Sequence, residues 1–251
     1  MGNKRLLDAA LQYGSFLNLI HIGAHRGEEI PLYEQYNLHS VYLIEPIEYC
    51  EKIIQEKIRL LDNFYSFNCA LGSENKFSTI YLADGEDSGS SSLLSPRESD
   101  IAFSNSQQIE VKTFTSLNLE KIDMVVIDTQ GYEIEVLKGF DSYLDGVNFF
   151  IVEFANYEGY INQPTYKKLN KFMKSKGFIV VDQIKRINKP FPTINGGSFG
   201  DALYVNKTLL NFTESIYFNI KYYIINNVIY DSIIFYKKTL KRKLKSILNK
   251  D

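Results

Sequence analysis

Apolar and polar residues follow two repeating patterns along this chain. Short runs of β-branched and aromatic residues predict strands at 16–22, 40–45, 63–71, 77–83, 108–114, 123–128, 147–154, 178–184 and 201–206. Amphipathic segments predict helices at 6–14, 27–36, 47–61, 132–140 and 164–176. Because strands alternate with helices through most of the chain, the pattern predicts an α/β fold in which helices cover both faces of a mostly parallel sheet.

The sequence from residue 211 onward has a different character. Residues 216–236 are crowded with Ile, Tyr and Phe, and the segment 236–248 repeats apolar residues at helical spacing with basic residues between them. We therefore predict an α/β domain over 1–210 and a C-terminal helical extension, a basic amphipathic tail, over 211–251. Such a tail can lie on an anionic membrane surface, contact a partner protein or pack on its own domain.

Charge is distributed unevenly along the chain. Residues 236–251 contain seven basic residues and one acidic residue, a net charge of +6, so the remaining chain carries −8 of the total charge of −2. An acidic domain lacks the basic face of a nucleic-acid-binding protein, so we expect no nucleic-acid partner. We also expect no membrane-spanning segment, because no apolar run approaches about twenty residues.

The two cysteines indicate a cellular location. Cys50 and Cys69 show neither metal-ligand spacing nor a disulfide framework, which makes a reducing cytoplasm the expected compartment. The basic tail leaves peripheral contact with a membrane open, and the oligomeric state stays unassigned.

A cofactor site is predicted where the first two strands end. Gly23 and Gly27 flank the turn after the first strand, where backbone amides can approach a ligand closely. Glu45 ends the second strand about twenty residues later, the separation at which an acidic residue meets ribose hydroxyls, and Pro46 then stops the strand. This spacing fits a nucleoside cofactor, either NAD or S-adenosylmethionine. The G-x-x-x-G pattern, rather than G-x-G-x-x-G, favours the latter.

Two carboxylates form a candidate catalytic pair. Asp128 and Glu153 each end an apolar strand, and the two strands would be neighbours about 4.8 Å apart in a doubly wound sheet. One carboxylate could accept a proton from a hydroxyl, or the pair could hold a divalent cation, although no metal-ligand motif is present. His25 is a rival general base, whereas His21 lies on a buried strand and is expected to be structural.

Five short motifs together resemble the FkbM family of methyltransferases. They are IGAHRG at 22–27, LIEP at 43–46, ALG at 70–72, GSSSL at 89–93 and IDTQGYEIEVLKG at 127–139. The resemblance covers roughly residues 17–206, and its last motif is the most specific. It implies a Rossmann-like class I methyltransferase sheet, S-adenosylmethionine as cofactor, and O-methylation, often of sugars or glycans.

The resemblance also implies roles for individual residues. It places the segment with Gly23, Ala24, His25 and Gly27 around the methionine part of the cofactor, and Glu45, followed by Pro46, at the ribose. Cys69, Ala70 and Leu71 would lie beside the adenine, and Asp128 at the site of methyl transfer. Gln130 can hydrogen-bond the cofactor or the acceptor. The chain departs from the family pattern at His21, where an acidic residue is usual, and at Val126 and Gln130, which replace a lysine and a glutamate.

Three functions follow from these observations. The first is an S-adenosylmethionine-dependent O-methyltransferase acting on a hydroxyl of a small molecule, sugar or glycan. An NAD-dependent sugar-modifying oxidoreductase is disfavoured by the missing third glycine and by the lack of a suitably placed Tyr-x-x-x-Lys. A protein that binds a nucleoside cofactor without catalysis is the third, because Val126 and Gln130 depart from the family. The Ser-rich segment 88–95 is either a lid over the cofactor or a plain surface loop.

Overall fold

A computed structural model describes residues 2–97, 101–187 and 198–223. It divides the chain into two compact units, 1–209 and 210–251. The described residues form ten strands: β1 (Asn18–Ile22), β2 (Ser40–Ile44), β3 (Phe64–Phe67), β4 (Ala70–Leu71), β5 (Lys76–Leu82), β6 (Asn105–Lys112), β7 (Met124–Ile127), β8 (Phe149–Ala155), β9 (Phe178–Ile187) and β10 (Ser198–Asn206). The α-helices are α1 (Gly2–Ala10), α2 (Ile30–Tyr33), α3 (Glu48–Ile58), α4 (Glu133–Lys138), α5 (Tyr166–Ser175) and α6 (Phe212–Tyr223).

Seven strands form the central sheet, in the order β3-β2-β1-β7-β8-β10-β9. The five strands from β3 to β8 pair in parallel, whereas β10 pairs antiparallel with both β8 and β9. Every residue of β2 and β7 is buried, which explains why these strands are continuous apolar runs rather than alternating ones. The predicted α/β fold with a mostly parallel sheet is therefore confirmed.

One predicted strand is divided between two sheets. The segment 63–71 forms β3 in the central sheet and β4 in a second, three-stranded sheet with the order β4-β6-β5. Between them, the Asn68 side-chain amide donates to the main-chain oxygens of Glu45 and Pro46 at 3.0 and 3.2 Å. These bonds hold the chain in a turn after β3 and interrupt the strand there. The apolar pattern of the sequence continues through the interruption, so it predicted one strand where the structure has two.

Two predicted helices have different bounds in the structure. The helix predicted over 27–36 is reduced to the four residues of α2, because Gly27 is left-handed (φ +67°) and the chain leaves the helix in a turn at 34–36. Pro31 lies in the first turn of α2, where its missing N–H is tolerated. The helix predicted over 6–14 begins earlier, at Gly2, and ends at Ala10 in a turn. The first helix is therefore shifted by four residues without a change in length, and the second is shortened.

The second unit is described only as far as Tyr223. It contains α6, and the amphipathic segment predicted over 236–248 lies outside the described residues. The predicted tail over 211–251 stays a prediction. Within the described ranges, no helix is both long and apolar enough to cross a membrane.

Candidate functional site

The carboxyl ends of β1, β2 and β7 open into one cavity. Its volume is about 540 Å³, part of it open to solvent. Nine of the predicted cofactor-binding residues line it: Gly23, His25, Glu45, Pro46, Cys69, Ala70, Leu71, Asp128 and Gln130. Ala24 and Gly27 do not line the cavity. Ala24 is buried, and the Gly27 N–H donates to the Ala24 oxygen at 2.8 Å, closing the turn that forms one wall.

Gly23 allows the ends of β1 and β7 to meet. Its backbone is left-handed (φ +84°), and a Cβ at this position would lie 1.8 Å from the main-chain oxygen of Asp128. Its N–H donates to the Ile44 oxygen at 2.9 Å, which ties the same turn to β2. A side chain here would force the strands apart, so the position requires glycine.

Glu45 is a buried carboxylate that the backbone holds in place. It is 4% exposed, and its two oxygens accept hydrogen bonds from the N–H groups of His25 (2.8 Å) and Ile47 (2.9 Å). Burial raises the pKa of Glu45 to about 7, although the two backbone N–H donors oppose that rise. Each oxygen has a further lone pair, so the carboxylate can still accept hydroxyl donors from a ligand in the cavity.

His25 connects the glycine turn with the Ser-rich segment. Its Nδ1 lies 2.9 Å from Glu28 Oε1, and its Nε2 lies 3.0 Å from Ser88 Oγ. Because both ring nitrogens already have partners, this geometry favours a positioning role for His25 over general-base chemistry. His21, in contrast, is buried against Tyr33, whose hydroxyl lies 3.0 Å from its Nδ1, as expected for a structural histidine.

The Ser-rich segment forms a wall of the cavity. Ser88, Gly89, Ser91, Ser92 and Leu93 all line it. The buried Ser92 hydroxyl donates to the Gln130 oxygen at 2.8 Å and so fixes the segment to the loop after β7. The small polar residues had indicated this place, but movement of the segment as a lid stays a prediction.

The sequence did not predict which apolar residues form part of the cavity wall. These residues are Ile22, Ile44, Ile47, Ile80 and Leu93. In the sequence these residues resemble the other core positions of their strands and loops.

The two predicted catalytic carboxylates lie beside one amide. The strands β7 and β8 are neighbours, and Gln130 Nε2 lies 2.7 Å from both Asp128 Oδ1 and Glu153 Oε2. Burial raises the pKa of Glu153 well above its usual range, and the adjacent Asp128 carboxylate raises it further. Glu153 therefore favours its protonated form, whereas Gln130 is held in a left-handed conformation (φ +53°) to reach both groups.

A second cavity of about 510 Å³ begins on the other side of Gln130. Gln130 and Glu153 line it together with Gln163 and four aromatic residues: Phe103, Tyr157, Tyr160 and Phe199. The Tyr160 hydroxyl donates to the main-chain oxygen of Ser90 at 2.5 Å, which joins this cavity to the Ser-rich segment. Sequence reasoning missed the aromatic residues, because they come from three separate parts of the chain, the segment before β6, the loop after β8 and the start of β10, and form no local motif.

The donor groups of the described residues bear on a metal site. Across the described residues there is no cluster of three or more His, Cys, Asp or Glu side chains arranged to hold a metal ion. Between the carboxyl groups of Asp128 and Glu153, the structure places the Gln130 amide.

The fold and the site together define a class of protein. A mostly parallel, doubly wound sheet with a glycine turn after β1 and an acidic residue after β2 is a Rossmann-like architecture for a nucleoside cofactor. The sequence matches the model of the methyltransferase FkbM domain over residues 21–180, and the chain belongs to this family. The resemblance, the fold class and the methyltransferase class predicted from the sequence are confirmed.

Solved structures share the fold at low sequence identity. A candidate tRNA methyltransferase from Streptococcus pneumoniae has a TM-score of 0.52 and 12% identity, covering 98% of this chain and 89% of its own. An uncharacterized protein from Listeria monocytogenes has a TM-score of 0.51 and 10% identity, covering 99% and 88%. A methyltransferase FkbM from Methylobacillus flagellatus has a TM-score of 0.47 and 14% identity, covering 76% of this chain.

This chain spans only 43% of the length of the Methylobacillus flagellatus protein. No curated protein sequence matches the chain.

Proposed function

We propose that this chain is an S-adenosylmethionine-dependent O-methyltransferase that methylates a hydroxyl group of a sugar or glycan. The observation that carries the proposal is Glu45, a buried carboxylate held by two backbone amides at the end of β2, in the cavity that the Gly23 turn closes. Membership of the FkbM family supports methyl transfer. The Streptococcus pneumoniae protein with this fold has also been solved with bound S-adenosyl-L-methionine, at a TM-score of 0.50 and 12% identity.

The first cavity is the proposed cofactor site. Glu45 would accept hydrogen bonds from the ribose hydroxyls, and Cys69, Ala70 and Leu71 would lie beside the adenine. The turn at Gly23 would hold the methionine part, with its backbone close to the ligand. This arrangement leaves Asp128 and Gln130 at the end of the cavity that faces the second cavity.

The second cavity is the proposed acceptor site. Gln130 lines both cavities, so a methyl group on the cofactor and a hydroxyl on the acceptor can approach each other beside it. The aromatic residues Tyr157, Tyr160 and Phe199 offer flat faces to an acceptor ring, while Glu153 and Gln163 offer hydrogen bonds to its hydroxyls. Aromatic faces combined with polar side chains suit a sugar ring better than a purely apolar molecule.

Bound S-adenosylmethionine supplies an activated methyl group on a positively charged sulfur. The acceptor oxygen would take this methyl group as the neutral thioether leaves, so the chain would have to hold the acceptor hydroxyl in line with the methyl group and take its proton with a base. A protonated Glu153 cannot accept that proton, which makes Asp128 the proposed base. Gln130 would hold the two carboxyl groups in position. Its amide lies where a cation bridging the two carboxyl groups would bind, so we propose a transfer without a metal-dependent step.

The cofactor assignment is tested by calorimetric titration with S-adenosylhomocysteine. We expect binding to the parent protein, binding weakened at least about tenfold in Glu45→Ala, and no response to NAD. Glu56→Ala, which removes an exposed glutamate from α3, serves as the matched control and should bind as the parent does. A response to NAD but not to S-adenosylhomocysteine would contradict the proposal and favour the oxidoreductase.

Catalysis is tested by transfer of a labelled methyl group from S-adenosylmethionine to a panel of sugars and glycans. We expect the parent to label an acceptor and Asp128→Asn to lose about 10²-fold or more of that rate while still binding S-adenosylhomocysteine. Asp62→Asn, a change in the loop after α3, is the control. Unchanged transfer in Asp128→Asn would remove Asp128 from the mechanism. Cofactor binding without transfer to any acceptor would favour the binding-only alternative.

A further inference from the structure

Gln130 occupies a backbone conformation that a residue with a side chain does not favour. Its φ is +53°, and Gly131 after it has a φ of +104°, so two left-handed residues follow each other between β7 and α4. A residue with a Cβ keeps such a conformation only where surrounding contacts impose it. Reversing the sign of φ would redirect the Gln130 side chain. The contacts that impose the turn therefore decide where the Gln130 amide lies.

The peptide group that joins Gln130 to Gly131 is held at both of its polar ends. The Ser92 hydroxyl donates to its oxygen at 2.8 Å, and its N–H donates to Glu133 Oε1 at 2.8 Å. The C=O and N–H of a trans peptide point in opposite directions, so the two bonds together fix the rotation of the peptide plane. Ser92 and Glu133 are 1% and 5% exposed, so loss of either would leave a buried polar group without its partner. We call these two residues the peptide clamp.

Both members of the peptide clamp are themselves held in place. The main chain of Ser92 pairs with Tyr81 of β5 through two hydrogen bonds of 2.8 and 3.0 Å. Glu133 lies in the first turn of α4, and its Oε1 also accepts a hydrogen bond from the Thr129 hydroxyl at 3.3 Å. Burial raises the pKa of Glu133 to about 7, but a protonated carboxyl group still has an acceptor oxygen. The bond from Glu133 to the turn therefore does not require its charge.

We propose that Ser92 and Glu133 are positioning residues for methyl transfer, acting through Gln130. By fixing the peptide after Gln130, they place its Nε2 2.7 Å from both Asp128 Oδ1 and Glu153 Oε2. This inference rests on the proposed function, in which Asp128 takes the proton of the acceptor hydroxyl. Without the clamp, the Gln130 amide would no longer hold the two carboxyl groups in line with the acceptor, and transfer would slow.

The position of the Gln130 amide can be followed without any methyl acceptor. In NMR spectra of isotopically labelled protein, its side-chain signal is identified by its absence from Gln130→Gly. We expect the amide protons to exchange with solvent at least about tenfold faster in Ser92→Ala and in Glu133→Ala than in the parent, because the amide loses its hydrogen bonds. The matched controls Ser40→Ala and Glu51→Ala remove other buried hydrogen-bonding side chains and should leave this rate unchanged. Unchanged exchange in either test variant would overturn the proposal.

Transfer of a labelled methyl group shows whether this position matters for the reaction. We expect Ser92→Ala and Glu133→Ala each to lower kcat at least about tenfold, while the KM for S-adenosylmethionine and the affinity for S-adenosylhomocysteine change by less than about threefold. Glu133→Gln keeps an acceptor oxygen and should retain most of the kcat of the parent. The controls Ser40→Ala and Glu51→Ala should have the kcat of the parent. A Glu133→Gln variant as slow as Glu133→Ala would overturn the proposal.

A double-mutant cycle separates positioning from a general loss of stability. Ser92→Ala removes a single hydroxyl, and adding it to Gln130→Gly should lower kcat by less than about twofold beyond Gln130→Gly alone. The reason is that the amide is already absent and glycine adopts the left-handed turn freely. If the two losses instead multiply, Ser92 does not act through Gln130 and the proposal fails. A parent that transfers no methyl group would contradict the proposed function, whereas the exchange measurement tests the clamp independently of activity.

Discussion

The affinity for S-adenosylhomocysteine should depend on pH through Glu45. This carboxyl group is buried, and its pKa is raised to about 7. Ribose hydroxyls donate best to the ionised carboxylate, so a ligand at Glu45 binds the ionised form and lowers its pKa. Between pH 6 and pH 8 the ionised fraction of the free protein rises from about one tenth to about nine tenths. The affinity should therefore rise about tenfold over this interval, which corresponds to about 1.4 kcal/mol.

The assay is calorimetric titration at pH 6, 7 and 8, in two buffers with different ionisation enthalpies. The buffer pair measures protons directly, and we expect release of about one proton per ligand at pH 6 and almost none at pH 8. In Glu45→Gln the affinity should be lower and nearly independent of pH. An affinity that stays constant from pH 6 to pH 8 in the parent, or the same slope in Glu45→Gln, would refute the placement of the ribose at this carboxylate.

Three further predictions follow from the same geometry. Gly23→Ala should lower the free energy of unfolding, measured in urea, by about 2–4 kcal/mol, because its Cβ would lie 1.8 Å from a main-chain oxygen. In the control Gly146→Ala the new Cβ meets nothing within 4 Å, so the free energy of unfolding should change by under about 0.5 kcal/mol. Equal effects of the two substitutions would contradict the requirement for glycine at position 23. Burial lowers the pKa of His21 to about 4, so the stability that its neutral form contributes above pH 6.5 should be lost as the pH falls toward 4. The loss of stability over this interval should be smaller in His21→Gln than in a variant of the exposed His39. Identical stability profiles of the two variants in acid would show that His21 is not buried in its neutral form. Gln130→Glu places a third carboxyl group between those of Asp128 and Glu153. The thermal midpoint of this variant should therefore fall relative to that of the parent as the pH rises from about 5 to 8. A difference in thermal midpoint that does not change with pH would contradict the position of the Gln130 amide between the two carboxyl groups.

The first cavity, the proposed cofactor site, could be predicted from the sequence because it depends on local patterns. Parallel strands that are buried on both faces are continuous apolar runs, and their ends mark one edge of the sheet. Gly23 and Glu45 follow directly from such runs, so their residue types and spacing predicted their place in the first cavity. The pairing of β7 with β8 likewise brought Asp128 and Glu153 to the same amide.

The second cavity, the proposed acceptor site, could not be predicted in the same way. Phe103 and Tyr160 belong to different loops and Phe199 to the start of β10, and only the folded chain brings them to one cavity. The break between β3 and β4 was missed for a related reason, since it depends on bonds from Asn68 to residues more than twenty positions earlier. Long-range contacts of this kind leave no periodic signal in the sequence.

A crystal structure of the full chain with S-adenosylhomocysteine would test the central claim most directly. We predict that the ribose hydroxyls lie within hydrogen-bonding distance of the Glu45 carboxylate and that the sulfur points toward Asp128 and Gln130, facing the aromatic cavity. A ligand bound with its ribose away from Glu45, or with its sulfur directed away from Gln130, would contradict both the cofactor assignment and the proposed path of the methyl group.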